Sequence, residues 1–256
     1  MIPRHSRSTL EQMRPAGAFV ARVLSELQGL AQPGVSLLEL DARAHQMIRE
    51  SGATSCYIDY HPSFGGSPFG KVLCTSVNDA ALHGLPYDYT LQDGDLLSLD
   101  FAVSMNGWVA DSALSLLVGN NANPLDVALI DTCEKALAAG ISKAVPGAHL
   151  GDISAAIGAV SKAAGFSVNT DFGGHGVGRT MHEDPSIPND GKPGSGPKLK
   201  AGMVFAIEPW LMHTTADIYT DADGWTLRSS DGSRSAHVEH TVAVTDDGPL
   251  ILTKRS

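Results

Sequence analysis

LKAGMVFAIEPWL (Leu199–Leu211) repeats, with altered side chains, an earlier stretch of the same chain, LQDGDLLSLDFAV (Leu91–Val103). Each has a turn glycine, a short apolar-leaning run and then an acid. Asp100 and Glu208 therefore fall at equivalent positions, inside runs of Leu, Phe, Val and Ile that suit β-strands. The likeness extends upstream. QPGVSLLELDARAHQMIRESGA, from Gln32, and VPGAHLGDISAAIGAVSKAAGFS, from Val145, both open on Pro-Gly and then show helical spacing of apolar residues. These are Leu40, Ala44, Met47 and Ile48 in the first, and Ile153, Ile157, Val160 and Ala164 in the second. A further amphipathic helix precedes each. One is expected to start at the capping box Ser8-x-x-Glu11 and to bury Met13, Val20, Val23, Leu24 and Leu27. The other takes Asn123 as N-cap and Pro124 as its first residue, with Val127, Ile130 and Leu137 on its apolar face. The chain reads as one α+β unit over residues 1–256, internally duplicated into α-α-β-β halves of roughly 8–120 and 121–256.

Composition narrows the partners. The chain has 256 residues, 43% of them apolar, enough for a sizeable core. Its 18 Lys+Arg against 28 Asp+Glu give a formal charge of −10, and no basic run interrupts that balance, so neither nucleic acid nor an anionic membrane is expected as a partner. Cys56, Cys74 and Cys133 are too few and scattered for a disulfide framework. The N-terminal MIPRHSRSTLEQM lacks an apolar signal core, and no later run would span a bilayer. A reduced, cytoplasmic protein is expected, and a monomer.

After each of the two paired acids comes another strand with another acid: WVADSALSLLV, from Trp108, holds Asp111, and SAHVEHTVAVT, from Ser235, holds Glu239. A carboxylate in a buried strand costs several kcal/mol unless a cation pairs with it. Pairing every one with Lys or Arg would draw on only 18 basic residues, most of them in helices and loops. Divalent metal is the better counter-charge, and two ions sharing carboxylates balance this many anions better than one. The oxygen-rich set favours Mn, Fe or Co, with Zn also compatible. Nitrogen would come from GGHGVGRTMHEDPSIP (Gly173–Pro188), through His175 or His182. That stretch is no dinucleotide loop, because Arg179 stands where the third glycine belongs. It is no H-E-x-x-H helix either, because Pro185 and Ser186 follow His182-Glu183. Its glycines are expected to bend the backbone tightly so that an imidazole reaches a crowded pocket.

In family order, SVNDAALHGLP, LQDGDLLSLDFAV, ADS, GGHGVGRTMHEDP, FAIEP, DGWT and EHTVAVTDDG resemble the type I methionine aminopeptidases. The matching blocks run from about Ser55 to the C-terminus. The resemblance implies the pita-bread fold, a curved antiparallel sheet with helices on its outer face. It implies two divalent ions (Co, Mn, Fe, Zn or Ni) held by Asp100, Asp111, His175, Glu208 and Glu239. It implies that Glu208 takes a proton from a dimetal-bound water and returns one to the leaving amine. His83 would steady the leaving nitrogen and His182 would hydrogen-bond the carbonyl oxygen as it becomes an oxyanion. Cys56, Tyr60, His61, Phe64, Cys74, Met181 and Trp225 would line the methionine pocket, where aromatic faces and sulfur suit a thioether.

The sequence departs from the family pattern in places. His237 stands where glutamine is common and, two residues before Glu239 on a strand, is expected to point toward the metals as a further hydrogen-bond donor. Val109 stands where a histidine is common. FGGSPFGK (Phe64–Lys71) looks longer and richer in glycine than usual, which bears on the pocket rim.

The resemblance thus implies removal of N-terminal methionine from peptides and nascent chains, with the ribosome as a setting. The alternatives are an X-Pro dipeptidase or aminopeptidase P-like enzyme of the same fold, whose chains typically carry an extra N-terminal domain, and a non-catalytic pita-bread binding protein, which usually loses ligands and gains basic tails.

Overall fold

A computed structural model of the chain describes residues 2–62 and 67–255. The first half runs α1 (Arg7–Leu30), α2 (Leu37–Ser51), β1 (Thr54–Ser55), β2 (Cys74–Val77), β3 (Ala80–Leu82), β4 (Leu96–Met105) and β5 (Trp108–Leu117). The second runs α3 (Pro124–Ser142), α4 (Leu150–Ala164), β6 (Ser167–Val168), β7 (Gly173–Gly176), β8 (Glu183–Pro188), β9 (Val204–Ile207), β10 (Trp210–Met212), β11 (Ile218–Thr220), β12 (Leu227–Ser229), β13 (Ser235–His237), β14 (His240–Thr245) and β15 (Gly248–Ile251). α2 and α4 are both 15 residues long, and both end on a left-handed glycine, Gly52 and Gly165, before a short strand. The repeated helix pair and the strand that follows it match the duplication read in the sequence.

Local signals explain most helix ends. Asn123 caps α3 by accepting from the Leu125 amide, with Pro124 in the first turn. α1 starts earlier than the Ser8–Glu11 pattern suggested: Ser6 is its N-cap and accepts from the Thr9 amide. The reciprocal capping box instead belongs to Ser36 and Glu39, at the start of α2. Met13, Val20, Val23, Leu24 and Leu27 are buried as expected. Val127 and Ala164 are exposed rather than buried, because each lies on the solvent side near an end of its helix.

Helices and strands meet in paired cores. One joins α1 and α2 to β4 and β5 through residues such as Phe19, Leu24, Leu40, Leu99 and Phe101. The other joins α3 and α4 to the second-half strands through Leu137, Ile153, Ile157, Phe205 and Val242. Among the described residues the strands form four hydrogen-bonded sheets, built from antiparallel ladders.

Side chains and loops stitch the halves between those ladders. Thr241 Oγ1 accepts from the Asp111 amide at 2.9 Å and donates back to the Asp111 carbonyl at 2.7 Å. The Glu239 amide donates to the Ala113 carbonyl at 3.0 Å, and Ser112 Oγ donates to the Glu239 carbonyl at 2.5 Å. Asp111 and Glu239, from opposite halves, are thereby brought together through their backbones.

Candidate metal centre

Asp100 and Asp111 share one face of the β4–β5 hairpin. Asp100 lies opposite Ala113, and Asp111 lies opposite Ala102, so the two acids are diagonal neighbours with side chains on the same side. The second-half acids are placed differently from the reading of the sequence. Glu208 and Glu239 do not lie within strands but at breaks, between β9 and β10 and between β13 and β14. β9 pairs with β14 and β7, whereas β10 pairs with β13 and β6, so the chain changes ladder at Glu208-Pro209. Pro209 has no amide hydrogen to continue a ladder, and its carbonyl accepts instead from Val238 at 3.1 Å.

His175 is carried on β7, which is wedged between β8 and β9. The glycines here serve close packing rather than a tight bend: a Cβ on Gly174 would run into the Ala206 carbonyl oxygen, and β7 remains extended. The Nδ1 of His175 donates to the Gly176 carbonyl at 3.0 Å, which turns Nε2 toward the acids. That Nε2 lies 3.3 Å from Glu208 Oε1 and 4.0 Å from Asp111 Oδ2.

The structure brings all five expected ligands to the wall of one cavity of about 460 Å³. Ligand atoms of Asp111, His175 and Glu239 lie within 4.8 Å of one another. Among the described residues, no Lys or Arg nitrogen approaches these acids within 4.0 Å; the ion-pair distances to them come from His175 and His237. Buried salt bridges therefore do not account for the acids. Burial and mutual repulsion push the Asp111 and Glu239 carboxyls well up, and burial also raises Asp100. Burial would raise Glu208 too, but the imidazoles of His175 and His237 outweigh it and hold this carboxyl below its usual range. Burial lowers His175, yet Glu208 and Asp111 more than compensate and bring it up to about 9. Glu239 Oε1 is buried without a hydrogen-bond partner. Crowded hard oxygen donors, a bare buried carboxylate oxygen and one correctly turned imidazole suit divalent cations.

Two further histidines face the same cavity. His83 sits at φ 55° just before Gly84, and a side chain on Gly84 would collide with the Thr75 carbonyl oxygen. The Thr75 amide donates to the Gly84 carbonyl at 2.7 Å, so the turn that presents His83 is fixed to β2. The His83 ring lies edge-on to Phe172, with centroids 5.6 Å apart. His182 stands edge-on to His175, centroids 4.4 Å apart, and its Nδ1 is 2.9 Å from the Tyr60 hydroxyl. Burial lowers both His83 and His182 to about 4, so both rings are neutral near pH 7.

The remainder of the cavity wall is aromatic and sulfur-rich, with Tyr57, Tyr60, Phe69, Cys74, Met181 and Trp225. Trp225 is presented by a turn in which Asp223 Oδ1 accepts from the Trp225 and Thr226 amides, each at 2.8 Å. Thr226 Oγ1 in turn accepts from the Leu85 amide at 3.1 Å, tying the Trp225 turn to the His83 loop.

Of the expected pocket residues, Tyr60, Cys74, Met181 and Trp225 line the cavity; Cys56 is half-buried in the adjoining apolar cluster and is not part of the wall. His61 is exposed and also off the wall. Phe64 lies outside the described residues. Tyr57 and Phe69 line the wall without having been singled out in the sequence. His237 is buried, with Nε2 3.6 Å from Glu208 Oε2; strand alternation does not account for this placement, because β13 ends at His237 and Glu239 lies in the break that follows, and the Nε2 makes no hydrogen bond. Val109 is packed in the apolar cluster that includes Trp108 and Met181.

A sequence profile described as "Metallopeptidase family M24" matches residues 11–246. The chain belongs to metallopeptidase family M24. Its M24 relatives include methionine aminopeptidase 1 of Mycobacterium tuberculosis, 44% identical over 261 residues that cover 99% of this chain and 95% of the relative. The crystal structure of a methionine aminopeptidase from Thermotoga maritima superposes with a TM-score of 0.94 at 35% identity, each chain covered 100%. An M24-like fold also appears in an Xaa-Pro dipeptidase from Bacillus anthracis, with TM-score 0.78 and 20% identity, covering 99% of this chain but 62% of that one. The last likeness speaks to fold alone. The first two place the chain with the methionine aminopeptidases of family M24, on a pita-bread fold and with a requirement for divalent metal.

Proposed function

We propose that this protein is a methionyl aminopeptidase that hydrolyses N-terminal methionine from peptides and nascent chains, with two divalent ions held by Asp100, Asp111, His175, Glu208 and Glu239. The observation that carries the reading is the convergence of these groups, with no Lys or Arg nitrogen within 4.0 Å of their carboxylates among the described residues and only the more distant charge of Arg255 near Glu239, at one wall of a cavity otherwise lined by aromatic rings and sulfur. When bound, divalent ions supply the Lewis acidity that acidifies water and polarises an amide carbonyl.

The chain's own residues do the rest. Glu208, kept ionised by its flanking imidazoles, takes a proton from the attacking water and delivers one to the leaving amine. Tyr60 donates to Nδ1 of His182, which sets the ring proton on Nε2 and makes this neutral imidazole a donor to the carbonyl oxygen as charge develops there. His83, also neutral, steadies the leaving nitrogen. No Ser or Cys nucleophile enters, and burial pushes the Cys56 thiol up to about 12. Tyr60, Cys74, Met181 and Trp225 receive the methionine side chain through dispersion and sulfur–aromatic contact. The halves of roughly 8–120 and 121–256 act as one catalytic unit, since ligands come from both. Monomeric state, cytoplasmic location and action on nascent chains at the ribosome are part of this proposal and rest on the likeness to the methionine aminopeptidases.

The test is a comparison of Met-Ala-Ser with an Xaa-Pro dipeptide, using protein supplied with Mn²⁺ or Co²⁺. Release of methionine with little hydrolysis of the Xaa-Pro substrate is expected. The opposite preference would favour the dipeptidase alternative, and hydrolysis of neither would favour a binding protein.

A further inference from the structure

Tyr57 reaches the metal centre from outside the set of residues that bear the expected ligand pattern. Its hydroxyl donates to Asp100 Oδ1 at 2.6 Å and lies 3.3 Å from Asp111 Oδ1. The shorter distance is typical of a hydroxyl bonded to an ionised carboxylate. A phenol has one proton, so the bond is made mainly to Asp100, with Asp111 as the weaker acceptor.

The position of this hydroxyl is set by the backbone. Ser55 Oγ accepts from the Tyr57 amide at 3.1 Å and from the Ile58 amide at 3.3 Å, closing a turn directly after β1. The Cys56 amide donates to the Ala102 carbonyl at 3.2 Å, and Ser55 pairs with Val103. Ala102 and Val103 lie on β4, the strand that carries Asp100. The phenol and its acceptor therefore hang from one ladder. The ring is buried and edge-on to Phe69, centroids 5.8 Å apart, and Phe69 is edge-on to Trp225 at 5.1 Å.

We infer that Tyr57 is a positioning residue of the metal centre, which turns the carboxylates of Asp100 and Asp111 so that their remaining lone pairs converge on the cations. The inference rests on the metallopeptidase reading and extends it to a residue on the cavity wall. An aspartate carboxylate has a broad, roughly two-fold terminal torsion, and a hydrogen bond to one oxygen selects one setting of it. Without the phenol, the crowded acids lose a donor between them and must be ordered by the metal itself. Groups that orient ligands in this way are typically worth about ten- to a hundredfold in metal affinity or activity. Simple wall-filling requires the ring and not the hydroxyl, so Tyr57→Phe separates the two roles.

The experiment titrates metal-free wild type, Tyr57→Phe and Phe69→Leu with Co²⁺, following heat and the visible absorption of the bound ion, and then measures Met-Ala-Ser turnover at saturating Co²⁺. Tyr57→Phe is expected to bind Co²⁺ about ten- to a hundredfold more weakly, with a shifted absorption band and a KM near that of wild type. Phe69→Leu, which loosens the aromatic contact without touching a carboxylate, is expected to keep Co²⁺ affinity and raise KM. Equal affinity and identical spectra for wild type and Tyr57→Phe would overturn the inference. If Tyr57→Phe does not melt cooperatively, Tyr57→Leu, which brings neither a donor nor a metal ligand, replaces it, and unchanged Co²⁺ affinity and spectrum there would overturn the inference equally. Wild type that neither binds Co²⁺ nor cleaves the peptide would instead sink the metallopeptidase reading.

Discussion

His237 Nε2 lies 3.6 Å from Glu208 Oε2, while His175 approaches the other oxygen of the same carboxylate at 3.3 Å. The His237 atom is buried and makes no hydrogen bond at that distance, so it acts on Glu208 as a nearby polar ring rather than as a bonded partner. Its backbone is held firmly: the His237 amide donates to Ser115 Oγ at 2.9 Å, and Ser115 Oγ donates to the His237 carbonyl at 2.8 Å. His237→Leu removes the polar neighbour of the second Glu208 oxygen and is expected to lower kcat about ten- to a hundredfold. His237→Gln, which keeps a donor, should recover most of that loss. Steady-state kinetics on Met-Ala-Ser decide the matter, and full activity in the leucine variant would remove His237 from the account.

His83 and His182 are held neutral down to about pH 4, burial being the main cause in both. A depressed histidine pKa means that the folded protein refuses the proton that the unfolded chain accepts near pH 6.5. These rings consequently reduce stability as pH falls from about 6.5 toward 4, and the acid limb of kcat should not reflect their titration. His83→Asn is expected to lower kcat on the order of a hundredfold without displacing that limb, and its stability deficit relative to wild type should shrink between pH 7 and pH 5. Rate profiles and urea melts measure both. A wild-type inflection near pH 6.5 that vanishes in His83→Asn would contradict the neutral-imidazole assignment.

Trp225 forms part of the cavity wall and contacts both Phe69 and Tyr60, with centroids 5.1 and 6.2 Å away. Trp225→Ala should raise KM for methionyl peptides about tenfold, the worth of a lost aromatic contact of roughly 1–1.5 kcal/mol. Co²⁺ affinity and kcat should change little, the pattern of a group that binds substrate and transition state alike. An unaltered KM would take Trp225 out of the side-chain pocket.

The parts of the site governed by regular spacing were legible in the sequence. Asp100 and Asp111 read as acids inside successive apolar strands, and the hairpin register that puts them on one face came from the structure. Glu208 and Glu239 were found through their place in the duplication and family motifs, while the breaks that hold them were not anticipated. Those breaks depend on Pro209 and on bonds from the other half, which no local pattern reveals. Tyr57 was passed over for a related reason. From Ser55 the chain enters a turn, closed by the Tyr60 amide on the Tyr57 carbonyl at 2.9 Å, and alternation no longer tells which side chain points inward. The Phe69 amide returns to the Tyr60 carbonyl at 3.0 Å, a contact that no spacing in the sequence announces. The adjacent SCYIDYH run consequently presents Tyr57 and Tyr60 to the cavity, with Cys56 and His61 turned elsewhere.

The central claim is that carboxylates from both halves share a pair of cations. It is tested most directly by counting metal per chain in wild type and Asp111→Asn, with Met-Ala-Ser turnover read before EDTA treatment, after it, and after Mn²⁺ or Co²⁺ is restored. The account predicts about two ions per wild-type chain at saturation, turnover that disappears with EDTA and returns with metal, and an Asp111→Asn protein that binds fewer ions and releases no methionine. Turnover indifferent to EDTA, or an Asp111→Asn variant with undiminished metal content and rate, would contradict it.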